Sequence, residues 1–106
     1  MRKVVALLEE RAGSGVRVGE LAELVGLGAS RLEHLFKSDA RMSIRDFVRE
    51  QRLAEAAALL VRTEERISTI GYQVGFGDVS NFNHAFKRRF GVSPRAYRER
   101  HGEGEE

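Results

Sequence analysis

The chain contains an internal repeat, and this repeat restricts the fold more than any other feature of the sequence. Residues 25–28 (VGLG) resemble residues 74–77 (VGFG) at an offset of 49 positions. After one extra residue in the second turn the offset becomes 50. At this offset Ser30, Leu32, His34, Phe36 and Lys37 correspond to Ser80, Phe82, His84, Phe86 and Lys87, four pairs being identical and one pair apolar. Two copies of helix, glycine-containing turn and helix predict two helix-turn-helix units in one polypeptide.

Helix signals predict an all-α fold. Apolar residues recur at helical spacing, and the chain has a single proline, Pro94. Three glycine-containing segments predict turns, because glycine interrupts helices and tolerates tight bends; they are 13–15, 26–28 and 75–77. Three residues have the form of helix N-caps, in which a side-chain oxygen accepts from an unpaired amide; they are Ser43, Asp78 and Ser93.

A long helix predicted over residues 43–62 changes its apolar side partway along. At 100° per residue, two apolar groups fall on roughly opposite sides: Ile44, Phe47 and Val48, then Leu53, Ala56, Ala57 and Leu60. Each half should therefore pack in a different unit. This pattern predicts four segments: a first subdomain at 1–42, the connecting helix at 43–62, a second subdomain at 63–101 and a disordered acidic tail at 102–106. The connecting helix would be about 30 Å long, near the roughly 34 Å turn of B-DNA, so the units could reach successive major grooves.

The charge is unevenly distributed along the chain. The formal net charge is +2, but residues 78–100 contain six basic and two acidic side chains. A cationic segment of this kind suits a polyanion such as nucleic acid. A solvated helix face explains the charge alone about equally well, so the charge needs support from the motifs.

Groups for catalysis, metal binding or membrane insertion are sparse. The chain has no cysteine, and its three histidines include His34 and His84 in different predicted units, which disfavours a metal site. Ser80 and His84 lie one helical turn apart, but no carboxylate is spaced to orient the histidine. No apolar run is long enough for a signal peptide or a membrane span. We expect no cofactor, no enzymatic activity, no membrane partner and a cytoplasmic, nucleoid-associated location.

The second repeat carries a long motif. It reads GFGD at 75–78, SNF at 80–82, FGVSP at 90–94 and YR at 97–98. This motif resembles the signature of the AraC/XylS family of bacterial transcription regulators, and the resemblance extends over about residues 3–100. It implies seven helices in two helix-turn-helix subdomains joined by a long helix. It also implies binding to an asymmetric DNA site of two directly repeated elements, followed by activation or sometimes repression of transcription.

The resemblance carries the family's base-reading positions onto eight residues: Ser30, Glu33 and His34 in the first recognition helix, and Val79, Ser80, Asn81, Asn83 and His84 in the second. These residue types suit the task. An asparagine amide matches adenine N6 and N7, a glutamate can accept from cytosine N4, and valine can pack on a thymine methyl. We expect phosphate contacts, which add affinity without sequence information, from six basic residues: Arg31, Lys37, Arg41, Lys87, Arg88 and Arg95.

Other interpretations of individual residues stay open. Glu33 could pair with Lys37 at i,i+4, an alternative as strong as base reading. Arg52 fits a structural ion pair on the connecting helix slightly better than a DNA contact. Arg41 stands where the family often has glycine, which indicates a different turn or a left-handed residue. Gly71 replaces a usual alanine at a cost of about 1 kcal/mol in helix propensity.

The expected partner is double-stranded DNA, together with RNA polymerase. An N-terminal effector-binding or dimerisation domain outside this chain is the commoner arrangement in the family, although some members consist of two units alone. The alternative function is a helical protein-interaction module that contacts the transcription machinery through its basic face. A steep fall of affinity with salt would distinguish DNA binding from this alternative.

Overall fold

A computed structural model describes residues 1–102, which form seven α-helices and a short 3-10 turn. The helices are α1 (Arg2–Arg11), α2 (Val18–Leu24), α3 (Ala29–Ala40), α4 (Ile44–Arg62), α5 (Ile67–Gln73), α6 (Val79–Phe90) and α7 (Pro94–His101). The predicted all-α fold with about seven helices is therefore confirmed. None of the helices in the described part is long and apolar enough to cross a membrane.

The chain divides into two compact units, one over Met1–Gln51 and one from Arg52 onward. The four predicted segments, with boundaries after residues 42, 62 and 101, stay a prediction. Of the predicted disordered tail, Gly102 follows α7 in an extended conformation, and its N–H donates to the Arg98 carbonyl at 2.7 Å. Residues 103–106 lie outside the described residues.

The first unit packs α1, α2, α3 and the beginning of α4 around one apolar core. Leu8, Leu32 and Phe36 are completely buried there. Between α2 and α3, Gly26 adopts φ 75°, and the N–H of Leu27 donates to the Ala22 carbonyl at 2.9 Å. A left-handed glycine at this point reverses the chain without a Cβ clash. The α2–turn–α3 arrangement is the predicted first helix-turn-helix.

The second unit is built around an aromatic cluster. Phe82 and Phe86 on α6 are completely buried, and their ring centroids lie 5.8 Å apart. Phe90 and Tyr97 contact the Phe86 ring at centroid distances of 4.5 Å and 5.4 Å. The Phe86–Tyr97 rings meet edge to face, a geometry that favours contact between the positive edge of one ring and the negative face of the other. Tyr97 thereby packs α7 against α6.

The connecting helix α4 contributes to both cores. Ile44 and Val48 are buried in the first core, whereas Leu53, Ala56 and Leu60 are buried in the second. The predicted change of apolar side along this helix is therefore confirmed. A single amphipathic stripe would have supported only one of the two cores.

Local capping fixes the helix starts where the sequence predicts them. The Asp46 N–H donates to Ser43 Oγ at 3.0 Å, and the Asn81 N–H donates to Asp78 Oδ1 at 2.7 Å. The Ala96 N–H donates to Ser93 Oγ at 3.1 Å. Each bond satisfies an amide that has no intrahelical acceptor.

Arg41 ends α3 in the left-handed conformation, with φ 64° and ψ 24°. Gly91 ends α6 in the same region, with φ 83°. Both residues donate their N–H to the carbonyl four positions back, Arg41 to Lys37 at 2.9 Å and Gly91 to Lys87 at 2.7 Å. The two helices therefore end alike, and of the two interpretations of Arg41 the left-handed residue is the one found.

Replacing Arg41 with glycine should stabilise the protein. A left-handed L-residue costs roughly 1–2 kcal/mol, which glycine would relieve. Glycine also makes the unfolded chain more flexible, and this offsets about 0.5–1 kcal/mol of the gain. We expect a net gain of about 0.5–1 kcal/mol in the free energy of unfolding, measured by urea denaturation. Arg41→Ala keeps the strain and is the matched control. Equal stability of Arg41→Gly and Arg41→Ala would contradict the prediction.

Two glycine-to-alanine substitutions should have opposite effects. A Cβ on Gly71 would lie 2.8 Å from Cδ2 of the buried Phe82 ring, whereas a Cβ on Gly19 would meet nothing within 4 Å. Gly71→Ala should cost about 1–3 kcal/mol through overpacking, and Gly19→Ala should gain up to about 1 kcal/mol through helix propensity. Thermal unfolding of both variants tests the pair. A stabilising Gly71→Ala would show that α5 does not pack this closely on α6.

Candidate nucleic-acid interface

The second helix of each helix-turn-helix motif, α3 in the first unit and α6 in the second, presents the same face. Helices α3 and α6 both have 12 residues, begin 50 positions apart and end at a left-handed residue. Leu32 and Phe36 on α3, and Phe82 and Phe86 on α6, occupy matching positions and are completely buried. Because these residues fix the rotation of each helix about its axis, matching positions on the opposite side point outward in both units.

The predicted base-reading residues lie on this outward side. Seven of the eight are exposed: Ser30, Glu33, His34, Ser80, Asn81, Asn83 and His84. Val79, the first residue of α6, is half-buried. None of these polar side chains enters a hydrophobic core, so all are accessible to a ligand.

The six predicted phosphate-binding residues are exposed as well. They are Arg31, Lys37, Arg41, Lys87, Arg88 and Arg95. Lys37 and Lys87 hold equivalent positions in the last turns of α3 and α6. Long cationic side chains at such positions can extend past the edge of a nucleic-acid groove toward a phosphate.

An open groove of about 910 Å³ in the second unit brings several of these residues together. It is lined by the beginning of α5, one side of α6 and the beginning of α7: Ile67, Ser68, Val79, Asn83, His84, Lys87, Arg88, Ser93, Pro94 and Arg95. Three predicted base-reading residues therefore share a concave surface with three predicted phosphate-binding residues. The lining, all of it within residues 1–102, contains three permanent cations and no carboxylate, which favours an anionic ligand.

The groove separates the two asparagines of α6. Asn83 lines it, whereas Asn81 and Ser80 do not. Two residues apart on a helix correspond to a rotation of about 200°, so Asn81 and Asn83 point to different flanks of α6. The Asn81 backbone N–H donates to Asp78 Oδ1, and the Asn81 side chain is exposed. One ligand atom cannot contact both amides.

Helix α7 begins at the groove with few free amides. Pro94 has no N–H, the Ala96 N–H donates to Ser93 Oγ, and the Tyr97 N–H donates to the Ser93 carbonyl at 2.9 Å. The Arg95 N–H is the donor that the first turn retains. A phosphate at this helix end would meet that amide and the Arg95 guanidinium, both favoured by the helix dipole.

The two recognition helices differ in charge. Helix α3 carries Arg31 and Lys37 against Glu33 and Asp39, so it is formally neutral. Helix α6 has three cations and no acid: Lys87, Arg88 and Arg89. The Arg89 guanidinium lies 4.7 Å from the centre of the Phe90 ring, which is a cation–π contact. Part of the positive charge of α6 therefore already interacts within the protein.

Arg98 has a structural role that sequence reasoning missed. Its Nε donates to the Leu60 carbonyl at 3.0 Å, and its Nη2 donates to the Thr63 carbonyl at 3.1 Å. These carbonyls lie at the C-terminal end of α4, where helical carbonyls lack intrahelical partners. Arg98 therefore ties α7 to α4 and belongs to the scaffold, although it counts among the cations of residues 78–100.

The structure bears on two interpretations that the sequence left open, those of Glu33 and Arg52. Within the described residues, Glu33 and Lys37 form no ion pair, so the Glu33 carboxylate is open to an external donor. Arg52 is half-buried, and burial lowers the pKa of its guanidinium from the usual value. Its burial favours the structural interpretation over a DNA contact.

The paired helix-turn-helix units, each with a polar outward recognition helix, define the class of the protein as a double helix-turn-helix domain. The helix-turn-helix domain family matches residues 21–100. The chain belongs to the AraC/XylS family of DNA-binding transcription regulators. This membership confirms the family resemblance inferred from the motif at residues 75–98.

Two curated relatives and one solved structure illustrate the similarity. The Arabinose operon regulatory protein of Escherichia coli K12 is 37% identical over 87 residues, which cover 82% of this chain and 30% of that protein. The HTH-type transcriptional activator RhaR of Yersinia pseudotuberculosis is 33% identical over 97 residues, covering 92% of this chain and 33% of RhaR. The chain thus spans about a third of the length of these relatives.

The solved structure is the DNA-binding domain of AdpA, a global transcriptional factor, in complex with a target DNA. It is 25% identical, has a TM-score of 0.84 and covers 92% of this chain and 87% of that chain. The similarity extends over both helix-turn-helix units.

Substitution of two arginines of α7 should distinguish a residue that stabilises the fold from one that lies on the binding surface. Arg98→Ala removes two charge-assisted bonds to partly buried carbonyls and should lower the free energy of unfolding by roughly 1–3 kcal/mol. Arg95→Ala should change it by less than about 0.5 kcal/mol, because exposed ion pairs contribute little; the Arg95 side chain is 82% exposed and lies 3.8 Å from Glu99. Urea denaturation measures both. Equal stability of the two variants would refute the scaffold role of Arg98.

Proposed function

We propose that this domain binds double-stranded DNA in a sequence-specific manner through α3 and α6, as the DNA-binding part of a transcription regulator. The observation that carries the proposal is the cationic groove beside α6, which places base-reading groups next to phosphate-binding ones. In protein–DNA complexes, base contacts provide specificity and phosphate contacts provide affinity. The domain acts by binding, without catalysis.

In the second unit, Asn83 pairs with adenine, Val79 packs on a thymine methyl, and His84 contacts the neighbouring base edge. Ser80 contacts a base one turn before His84 on the same side of α6, and Asn81 contacts a base from the flank opposite Asn83. Lys87, Arg88 and Arg95 bind phosphates, joined by the Arg95 amide at the start of α7. The half-burial of Val79 supports its role, because a fixed apolar side chain suits methyl recognition.

In the first unit, Ser30, Glu33 and His34 contact bases, and Arg31, Lys37 and Arg41 bind phosphates. The exposure of all six side chains supports this assignment. The two units bind two elements of one DNA site. Because α3 is formally neutral, this helix attracts DNA phosphates less strongly than α6 does.

The whole protein is a longer transcription regulator that acts as an activator and contacts RNA polymerase. An additional N-terminal domain binds an effector or mediates dimerisation, and the protein works at the nucleoid in the cytoplasm. Support comes from the relatives, which are about three times longer than this chain and include an activator by name. The protein-interaction alternative is not favoured, because the relatives are DNA-binding regulators.

Neighbouring residues of the α6 groove should affect binding differently. After in vitro selection of a preferred site, Asn83→Ala should weaken binding to that site by about 1–3 kcal/mol while leaving random DNA nearly unchanged. Lys87→Ala, one turn along the same side, should weaken both about equally and reduce the slope of log affinity against log salt by about 1. Fluorescence anisotropy over a salt series measures both effects.

Lys37→Ala is the comparison variant in the first unit, because Lys37 occupies the position equivalent to Lys87. It should also reduce the slope by about 1. Binding that does not weaken with salt would argue against a DNA-binding function. An unchanged specificity ratio in Asn83→Ala would remove Asn83 from the base-reading set.

A further inference from the structure

The outward faces of α3 and α6 are identical at some matching positions and different at others. Three outward pairs are the same residue in both helices: Ser30 with Ser80, His34 with His84, and Lys37 with Lys87. Glu33 against Asn83 is the one difference among the three positions proposed to read bases in both helices. Val79 and Asn81 are matched by Ala29 and Arg31, which have no proposed base contact. Since both helices bury matching residues and end in the same conformation, equal side chains occupy equal positions relative to each unit.

We propose that the two elements of the DNA site share the bases contacted by the serine and histidine pairs, and differ at the base contacted by Glu33 or Asn83. The first element has cytosine there, and the second element has adenine. This inference rests on the proposed function. It adds a statement of where the two DNA elements agree and differ in base sequence. This statement follows from comparing α3 with α6 position by position.

The assignment of cytosine follows from the chemistry of a carboxylate. Glu33 is an exposed anion on the helix that approaches DNA phosphates, so its presence there opposes binding unless it accepts a hydrogen bond. Cytosine N4 offers a donor in the major groove, while guanine presents acceptors at N7 and O6. Adenine also offers a donor at N6, but its neighbouring N7 acceptor would face the second carboxylate oxygen. Cytosine is therefore the base that suits Glu33.

The Asn83 amide is both donor and acceptor. It matches the N7 acceptor and N6 donor of adenine in a two-bond contact, which a carboxylate cannot form. Its place in the groove, between Val79 and Lys87 along one side of α6, directs it to the surface where the phosphate contacts are proposed. The two elements should thus differ at this base, while the bases contacted by the serine and histidine pairs agree.

Intramolecular pairing of Glu33 would weaken this argument. Lys37 is one turn away, but no ion pair joins the two side chains within the described residues. The carboxylate is exposed and available, in contrast to Asp46, which lies 4.0 Å from Arg49. Its arrangement in the free domain therefore permits a direct base contact.

The first experiment is selection of bound duplexes from a random DNA library by the wild-type chain, followed by alignment of the two enriched elements. We expect agreement at the bases read by the serine and histidine pairs, and cytosine against adenine at one position. Two elements that are unrelated throughout, or identical throughout, would overturn the inference and leave the proposed function intact. Failure to enrich any sequence would overturn the proposed function as well.

The second experiment is selection with Glu33→Gln. Glutamine has nearly the same shape but carries the amide that pairs with adenine. The cytosine of the first element should become adenine, with a shift in the adenine-to-cytosine preference of roughly 5- to 150-fold at that base. Unchanged preference would overturn the inference. Circular dichroism shows that the variant is folded. An unchanged second element in the selected sites shows that the variant is positioned on the DNA as the wild type is.

Asp39→Asn is the matched control. It removes one negative charge from the same helix, but Asp39 lies about 120° around the helix from Glu33. This variant should bind all sequences more tightly by the same factor and select the wild-type site. A change of base preference in Asp39→Asn equal to that in Glu33→Gln would attribute the effect to charge, and would overturn the base contact of Glu33.

Discussion

The structure depends on two apolar side chains, one helical turn apart, at the centre of each recognition helix. Leu32 and Phe36 in α3, and Phe82 and Phe86 in α6, are completely buried. Each such burial contributes about 1.5–3 kcal/mol, so a rotation by one residue, which turns the helix by about 100°, would expose these groups and bury polar ones. The hydrophobic core thereby decides which polar side chains are presented outward.

The two units reach this common arrangement with different residues. The first uses leucine at the position where the second uses Phe82, and it ends its recognition helix with a strained arginine where the second has Gly91. An edge-to-face pair packs the following helix in both units, Phe36 with Phe47 in the first and Phe86 with Tyr97 in the second. In the second unit Phe90 extends this pair into a larger aromatic cluster. The second unit also has the more cationic recognition helix, so electrostatic attraction for a polyanion is stronger at α6 than at α3.

Local chemistry explains which parts of the fold the sequence predicts well. Helix starts at Ser43, Asp78 and Ser93 depend on bonds to amides three residues away, and the apolar periodicity depends on neighbours within two turns. The role of Arg98 could not be predicted in this way, because its acceptors lie 35 and 38 positions away. The groove was missed for the same reason: α5 and α7 become its walls only when the helices pack.

Core and surface residues of the repeat are subject to different constraints. Substitution of an exposed residue such as Glu33 changes stability by less than about 0.5 kcal/mol, whereas one good base contact contributes about 1–3 kcal/mol of discrimination. The fold therefore does not determine the outward residues, and they can differ between the two units while the cores keep the same plan. Comparison of α3 with α6 consequently separates what the helix-turn-helix architecture requires from what the DNA site requires.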